Sequence, residues 1–447
     1  MHRILLCAVA CATAAPIAQA QDSLPQMREE LKKLQQRIDE LEGRVKDAES
    51  TATQAATQAS NRPQSESALN PAVSVILNGV YANLRRDPTN YRINGLIPTM
   101  TDVAPPTRGF SLGESELAFA ANIDHNFRGT LIGSISPDND SIGVEEGTIQ
   151  TIGLSNGFTI KAGRFFSAVG YQNQIHAHAW DFTDQPLAMK AFLGGQLNED
   201  GIQFRWVAPT ALYWDLGTEL GRGRAFPASL SSGGKNGARS LNLFTHLGGD
   251  VGQSISWQTG LSHLRTNPSD RRYDDVDSLG NAVTNSFSGT SRLWVLDGVL
   301  KWSPNGNPTD KNFKLQGEYF HRKEDGSLTF DTLGRALANG LASQQSGWYA
   351  QAVYQFLPQW RAGYRYDQLS SGTVNLDTSG SGLTAADFPI LAGYKPKKHS
   401  VMVDWNPSEF SRIRLQFARD YSRMGEPDTQ MFLQYIVSLG AHGAHRF

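Results

Sequence analysis

Between Ser167 and Glu199 the chain gathers its densest set of groups able to do chemistry: His176, His178, Asp181 and Asp184, with Trp180 and Phe182 interleaved. Imidazole nitrogen and carboxylate oxygen are donors that zinc and similar ions accept, and a His-x-His pair in extended backbone puts both rings on one face. His176 and His178 are therefore the candidate metal ligands, for a transient zinc contact and not a resident cofactor. The competing reading is mechanical: two histidines and two acids in a loop form a hydrogen-bonded brace, with Trp180 and Phe182 pinning it to the wall behind. His442 and His445 add imidazoles near the chain end, where a histidine is usually just solvated. No Ser, His and Asp or Asn stand in a register that would make a hydrolase triad, so no enzyme is expected.

The elements around this loop have a period of two. Met431, Leu433, Tyr435, Val437 and Leu439 share one parity with the terminal Phe447, and Gln430, Gln434, Ser438 and His442 share the other. Such alternation marks a strand with two unlike faces. From Ala72 onward sixteen segments read this way, and their connections alternate in length. Tight turns at Asp124-His125-Asn126, Ser155-Asn156-Gly157, Ala208-Pro209-Thr210, Asp250-Val251-Gly252 and Leu357-Pro358-Gln359 alternate with longer breaks at 85–109, 167–199, 222–237, 266–289, 324–343 and 370–394. One apolar and one charged face recur: Trp360, Tyr364 and Tyr366 against Arg361, Arg365 and Asp367; Ile413, Leu415 and Phe417 against Arg412, Arg414, Gln416 and Asp420; Leu315 and Tyr319 against Lys314, Glu318 and Arg322; Phe204 and Trp206 against Gln203 and Arg205. Arginines at several adjacent positions of the polar face suit a water-filled interior better than a packed core. The expected fold is all-β: a 16-stranded antiparallel transmembrane β-barrel over 72–447, preceded by a short N-terminal α-helical coiled coil.

The first 20 residues read as a signal peptide: Arg3, an apolar run from Ile4 to Ala15, then Ala18-Gln19-Ala20 as the cleavage site. Cys7 and Cys11 lie inside it, so the mature chain offers neither cysteine catalysis nor thiolate metal sites. Over 21–60, Leu24, Leu31, Ile38, Val45, Ala52 and Ala59 recur every seven residues, interleaved with Met27, Leu34, Leu41, Ala48 and Ala55. That is the seam of a coiled-coil stalk, and 61–71 is its linker to the barrel. With 41 basic against 43 acidic residues, nothing suggests a nucleic-acid partner.

Several stretches carry a family resemblance: Lys161-Ala162-Gly163-Arg164-Phe165-Phe166, His176 to Phe182, Asp184-Gln185-Pro186, Ser408 to Gln416 and the ending from Gln434 to Phe447. The chain resembles the phosphate-selective porin O and P superfamily of outer-membrane porins, and within it a group labelled zinc-regulated TonB-dependent outer membrane receptors. The resemblance implies an outer-membrane trimer with a periplasmic stalk, the terminal Phe447 as signal to the barrel assembly machinery, and passive passage of small hydrophilic solutes or ions. It further implies that the loop with His176, His178, Asp181 and Asp184 folds inward to constrict the pore. Arg205, Lys314, Glu318, Arg361, Arg365, Asp367, Arg412 and Arg414 would then be lumen charges setting selectivity. The alternative is a zinc or other metal uptake receptor, although receptors of that kind carry a plug and a barrel of roughly 22 strands.

Overall fold

A computed structural model of the chain describes residues 29, 32, 33, 71–99, 103–135, 141–229 and 236–440. The signal peptide, nearly all of the heptad segment, the linker, His442, His445 and Phe447 lie outside the described residues. Of the heptad segment, Glu29, Lys32 and Lys33 are helical, and Lys33 pairs with Glu29 one turn away at 3.5 Å.

The strands are β1 (Ala72–Leu84), β2 (Gly109–Leu112), β3 (Ser115–Asn122), β4 (Phe127–Ile135), β5 (Ile142–Thr151), β6 (Phe158–Phe166), β7 (Asn198–Val207), β8 (Tyr213–Gly221) and β9 (Ser240–Val251). After these come β10 (Ile255–Thr266), β11 (Arg271–Val276), β12 (Ala282–Trp302), β13 (Asn312–Phe330), β14 (Leu337–Leu357), β15 (Trp360–Asp377), β16 (Lys397–Ser408), β17 (Ser411–Asp420) and β18 (Asp428–Gly440). These eighteen segments close into a wall of sixteen antiparallel staves. β2 and β3 are two halves of one stave, both paired to β1, and β11 forms a hairpin with the outer end of β12 above the wall. The seam runs from Ser74 opposite Gly440 to Leu84 opposite Gln430, so no sheet edge is left unpaired there. All sixteen strands expected from alternation are present. The expected loops at 266–289 and 324–343 are corrected: sheet pairing continues through them, and β13 and β14 join by a turn at 331–336.

Local chemistry explains the rims. Asn156 and Gly157 both have positive φ, 60° and 79°, as a tight hairpin turn requires. At Gly113, where β2 gives way to β3, a Cβ would stand 2.6 Å from the Asn78 side chain. Strand length is uneven around the wall: β3 to β6 have 8–10 residues, while β12 to β15 have 18–21.

The faces fall as the alternation requires. Leu131, Phe204, Leu315, Tyr364, Phe417 and Leu433 are among the large apolar side chains on the exposed outer face. Next to the short turns, Trp360 stacks on Trp405 at 5.9 Å and Phe158 on Trp206 at 6.2 Å; towards the long loops, Trp348 meets Tyr366 at 5.3 Å. Two aromatic belts bordering an apolar band are the dress of a barrel that sits in lipid. No helix among the described residues is long and apolar enough to cross a membrane.

The interior is not simply water-filled, as the charged inner faces suggested. One apolar cluster joins Val169, Leu187, Met189 and Phe192 of the 167–197 loop to Leu264, Leu293, Val295 and Phe320 of the wall. A second joins Ile97, Tyr273, Phe287, Phe330, Phe388 and Ile390 at the long-loop end.

Candidate functional site

The break from Ser167 to Leu197 packs against the inner face of the wall; an inward loop here was what the resemblance implied. Its first turn is held by wall carboxylates. Glu219 accepts from the Ser167 hydroxyl and, at 2.8 Å, from the Ala168 backbone N–H. Glu318 accepts from the N–H groups of Tyr171 and Gln172 at 2.6 and 2.7 Å. Glu318 therefore faces inward but serves as a loop anchor.

His176 and His178 meet acids that the sequence did not single out. His178 Nδ1 lies 2.7 Å from Glu116 Oε1 on β3. His176 Nδ1 stands 3.4 Å from Glu116 Oε2 and 3.6 Å from Glu145 Oε2 on β5. The backbone at Ala177–Ala179 is a 3₁₀ turn instead of the extended form expected. The two rings nevertheless lie side by side, 5.8 Å apart at 25°, because both are drawn to one carboxylate. Burial alone would lower the His176 pKa, but Glu116 and Glu145 outweigh it and hold the imidazole well above its ordinary value.

Asp181 and Asp184 reach the opposite wall. Asp181 takes Lys314 Nζ at 3.0 Å, Arg361 Nη1 at 3.2 Å and the Gln351 amide at 3.3 Å. Asp184 takes Lys398 Nζ at 2.6 Å, Gln416 Nε2 at 2.7 Å and Arg365 Nη2 at 2.9 Å. Burial would raise both carboxyls; Lys314 and Arg361 at Asp181, and Lys398 and Arg365 at Asp184, hold them well below the usual carboxylate range. Between them the Trp180 carbonyl accepts from Arg414 at 2.7 Å and Arg412 at 3.2 Å, while Phe182 lies under the Arg365 guanidinium. The loop then forms one short helix, α1 (Leu187–Leu193), stopped by Gly194 in the left-handed conformation. Within α1, Lys190 is buried, which lowers its pKa to about 8, with Asp184 pulling the other way.

The expected lumen charges thus divide. Arg365, Asp367 and Arg414 are 0–1% exposed and are consumed by the brace, with the Asp367 carboxylate capping the Leu187 N–H at 2.9 Å. Arg205, Lys314 and Arg412 instead line a cavity of about 900 Å³ at the short-turn end, together with Lys161, His176 and His178. Arg361 keeps an 18% exposed side chain but is committed to Asp404 and Asp181. On the far side of the loop a cavity of about 340 Å³ is lined by Tyr91, Arg92, Leu96, Lys190 and Asp274.

Sequence reasoning missed a second inward segment, the connection from β1 to β2. Ile93 and Leu96 join the apolar cluster that includes Leu264 on β10, the ninth stave and so directly across the barrel. Gly95 accepts from the Gln345 amide at 2.9 Å and donates to the Ile390 carbonyl at 2.8 Å. Its only sequence signal was the apolar run Ile93, Leu96 and Ile97 inside an otherwise polar loop.

No family model matches the chain. An uncharacterized protein of Aquifex aeolicus (strain VF5) is 30% identical over 356 residues, covering 76% of this chain and 70% of the relative. The chain belongs to the family of that protein. Among solved structures, a loop L8 deletion mutant of OmpT, an outer membrane protein of Vibrio cholerae, superimposes with a TM-score of 0.50. It is 9% identical, and the match covers 83% of this chain and 99% of that one. An anion-selective porin from Comamonas acidovorans matches more loosely, at a TM-score of 0.47 and 11% identity over 83% of this chain and 99% of its own. The likeness to the OmpT variant shows the fold of an outer-membrane protein barrel.

Proposed function

We infer that the protein is an outer-membrane porin in which small hydrophilic solutes or ions diffuse through a lumen narrowed by the 167–197 loop. The observation that carries this reading is the closed sixteen-stave wall, apolar outside, around a cavity of about 900 Å³ whose lining includes cationic side chains still partly exposed. Lys161, Arg205, Lys301, Lys314 and Arg412 outnumber Glu146, Asp250 and Glu409 on that cavity's lining. Charge arranged along a narrow aqueous path biases which ions pass. The resemblance to the phosphate-selective porin O and P superfamily agrees with this assignment, and a homotrimer in outer-membrane lipid and a periplasmic stalk over 21–60 are proposed with it. The test is electrical. Purified protein in a planar bilayer should give unitary conductance steps, and a salt gradient should give a reversal potential whose sign names the preferred ion. A folded barrel that yields no steps overturns the reading.

Phe447 is proposed as the assembly signal, since β18 must find β1 for the wall to close. Deleting it is expected to strip most folded protein from the outer membrane, read as loss of the heat-modifiable gel band. An undiminished folded band would refute that role. The alternative reading, a zinc or other metal uptake receptor, has one feature in its favour, the carboxylates gathered around His176.

A further inference from the structure

Glu145 lies on β5 with a side chain only 7% exposed, and its Oε2 makes no hydrogen bond among the described residues. It points at His176 Nδ1, which makes none either, across 3.6 Å. His176 Nδ1 is 3.4 Å from Glu116 Oε2, and one donor atom each from Glu116, Glu145 and His176 fall within 4.8 Å of one another. Separations of 3.4 and 3.6 Å are long for hydrogen bonds between such groups. They match another geometry. Around a tetrahedral ion with bonds of about 2.0–2.2 Å, neighbouring ligand atoms stand about 3.4 Å apart.

Charge points the same way. Two acids, Glu116 and Glu145, crowd two imidazoles in a space closed on one side by Phe166, whose ring meets His176 edge-on at 5.2 Å. On the other side the site is open, because His176 and His178 line the 900 Å³ cavity.

We propose that Glu116, Glu145 and His176 form a binding site for a divalent cation of the zinc and cobalt class, with a fourth position open to the lumen. His178 is a positioning residue: through its 2.7 Å contact it fixes Glu116 and leaves the other carboxylate oxygen for the ion. The ion ties the 167–197 loop to β3 and β5 at once. The site is independent of whether the barrel conducts.

Cobalt(II) titrated into the purified full-length barrel tests this, because a tetrahedral site gives an intense visible d–d band. One equivalent should develop the band and one equivalent of zinc should bleach it. His176→Ala and Glu145→Gln should each abolish the band while the heat-modifiable gel shift shows the barrel still folded. His178→Ala should keep the band but weaken affinity by about 10–100-fold, as loss of an outer partner does. If Glu145→Gln does not fold, His176→Ala alone decides. The proposal is overturned if folded wild-type protein develops no saturable band, if the band survives His176→Ala unchanged, or if it is lost only when His442 and His445 are replaced.

Discussion

Replacing residues 88–98 by a short Gly-Ser linker is expected to raise single-channel conductance several-fold and admit larger solutes. This connection leaves the seam at β1 and crosses to the far wall, where Ile93 and Leu96 pack with Leu264 and with Leu187 to Leu193 of the inward loop. Ile97 enters the second cluster, with Phe330 and Phe388, at the long-loop end. Excision removes the segment that occupies the middle of that end. It leaves the β1–β18 ladder intact, because the pairings from Ser74 to Leu84 lie outside the excised span. Conductance in bilayers and swelling of liposomes in sugars of graded size would measure the effect. Unchanged conductance in a folded variant would show that the crossing segment is not what limits the path.

The second large effect is expected at Asp184. Its carboxylate sits among Lys398, Arg365 and Gln416, all 0–1% exposed. Asp184→Ala leaves two buried cations without their shared counter-charge, a change that costs about 3–5 kcal/mol when one partner of a buried pair is lost. The barrel ladders do not pass through this residue, so the loss should fall on loop docking. The expected phenotype is a folded barrel with noisy, enlarged conductance and a loop open to protease. Arg365 keeps Asp367 and Lys398 keeps Asp420, so adding Lys398→Met removes one of the two cations that lost this carboxylate and should restore quiet gating in part. The anchor also has a pH signature. A carboxyl whose folded pKa is depressed contributes stability that is present above about pH 4 and lost as pH falls towards the folded value. Loop noise should therefore appear on strong acidification of the wild type and be absent at neutral pH. Quiet channels in the single variant would mean that the loop is held elsewhere.

The barrel itself was legible because its signal is local. Alternation along Trp360 to Asp367 or Arg412 to Asp420 needs only neighbouring residues, and turns such as Asn156-Gly157 punctuate it. The inward loop was legible only through the family resemblance. What it touches was not. Glu116 meets His178 from 62 residues away and Lys398 meets Asp184 from 214 away, distances over which no periodicity carries information. Glu116 and Glu145 did leave a trace, as acids on the inner faces of short strands, but nothing in their spacing tied them to the histidines. For the same reason Arg365 and Arg414 read as wetted lumen charges when they are loop anchors. A strand's parity says which way a side chain points and nothing about what has folded in front of it.

The uneven strands have a consequence for approach to the mouth. A strand of 21 residues, such as β12 or β14, rises about 3.4 Å per residue and, at the tilt of these barrels, stands about 50 Å tall. The apolar band of a membrane barrel occupies only about 25 Å of that height. β4 to β6, with 9–10 residues, end close to the band's own height. The barrel is thus a scoop and not an upright cylinder. Its tall back rises well clear of the lipid headgroups while its front lip lies near them; on the porin reading proposed above, a solute would arrive sideways over the lip, grazing the membrane surface before turning down into the lumen.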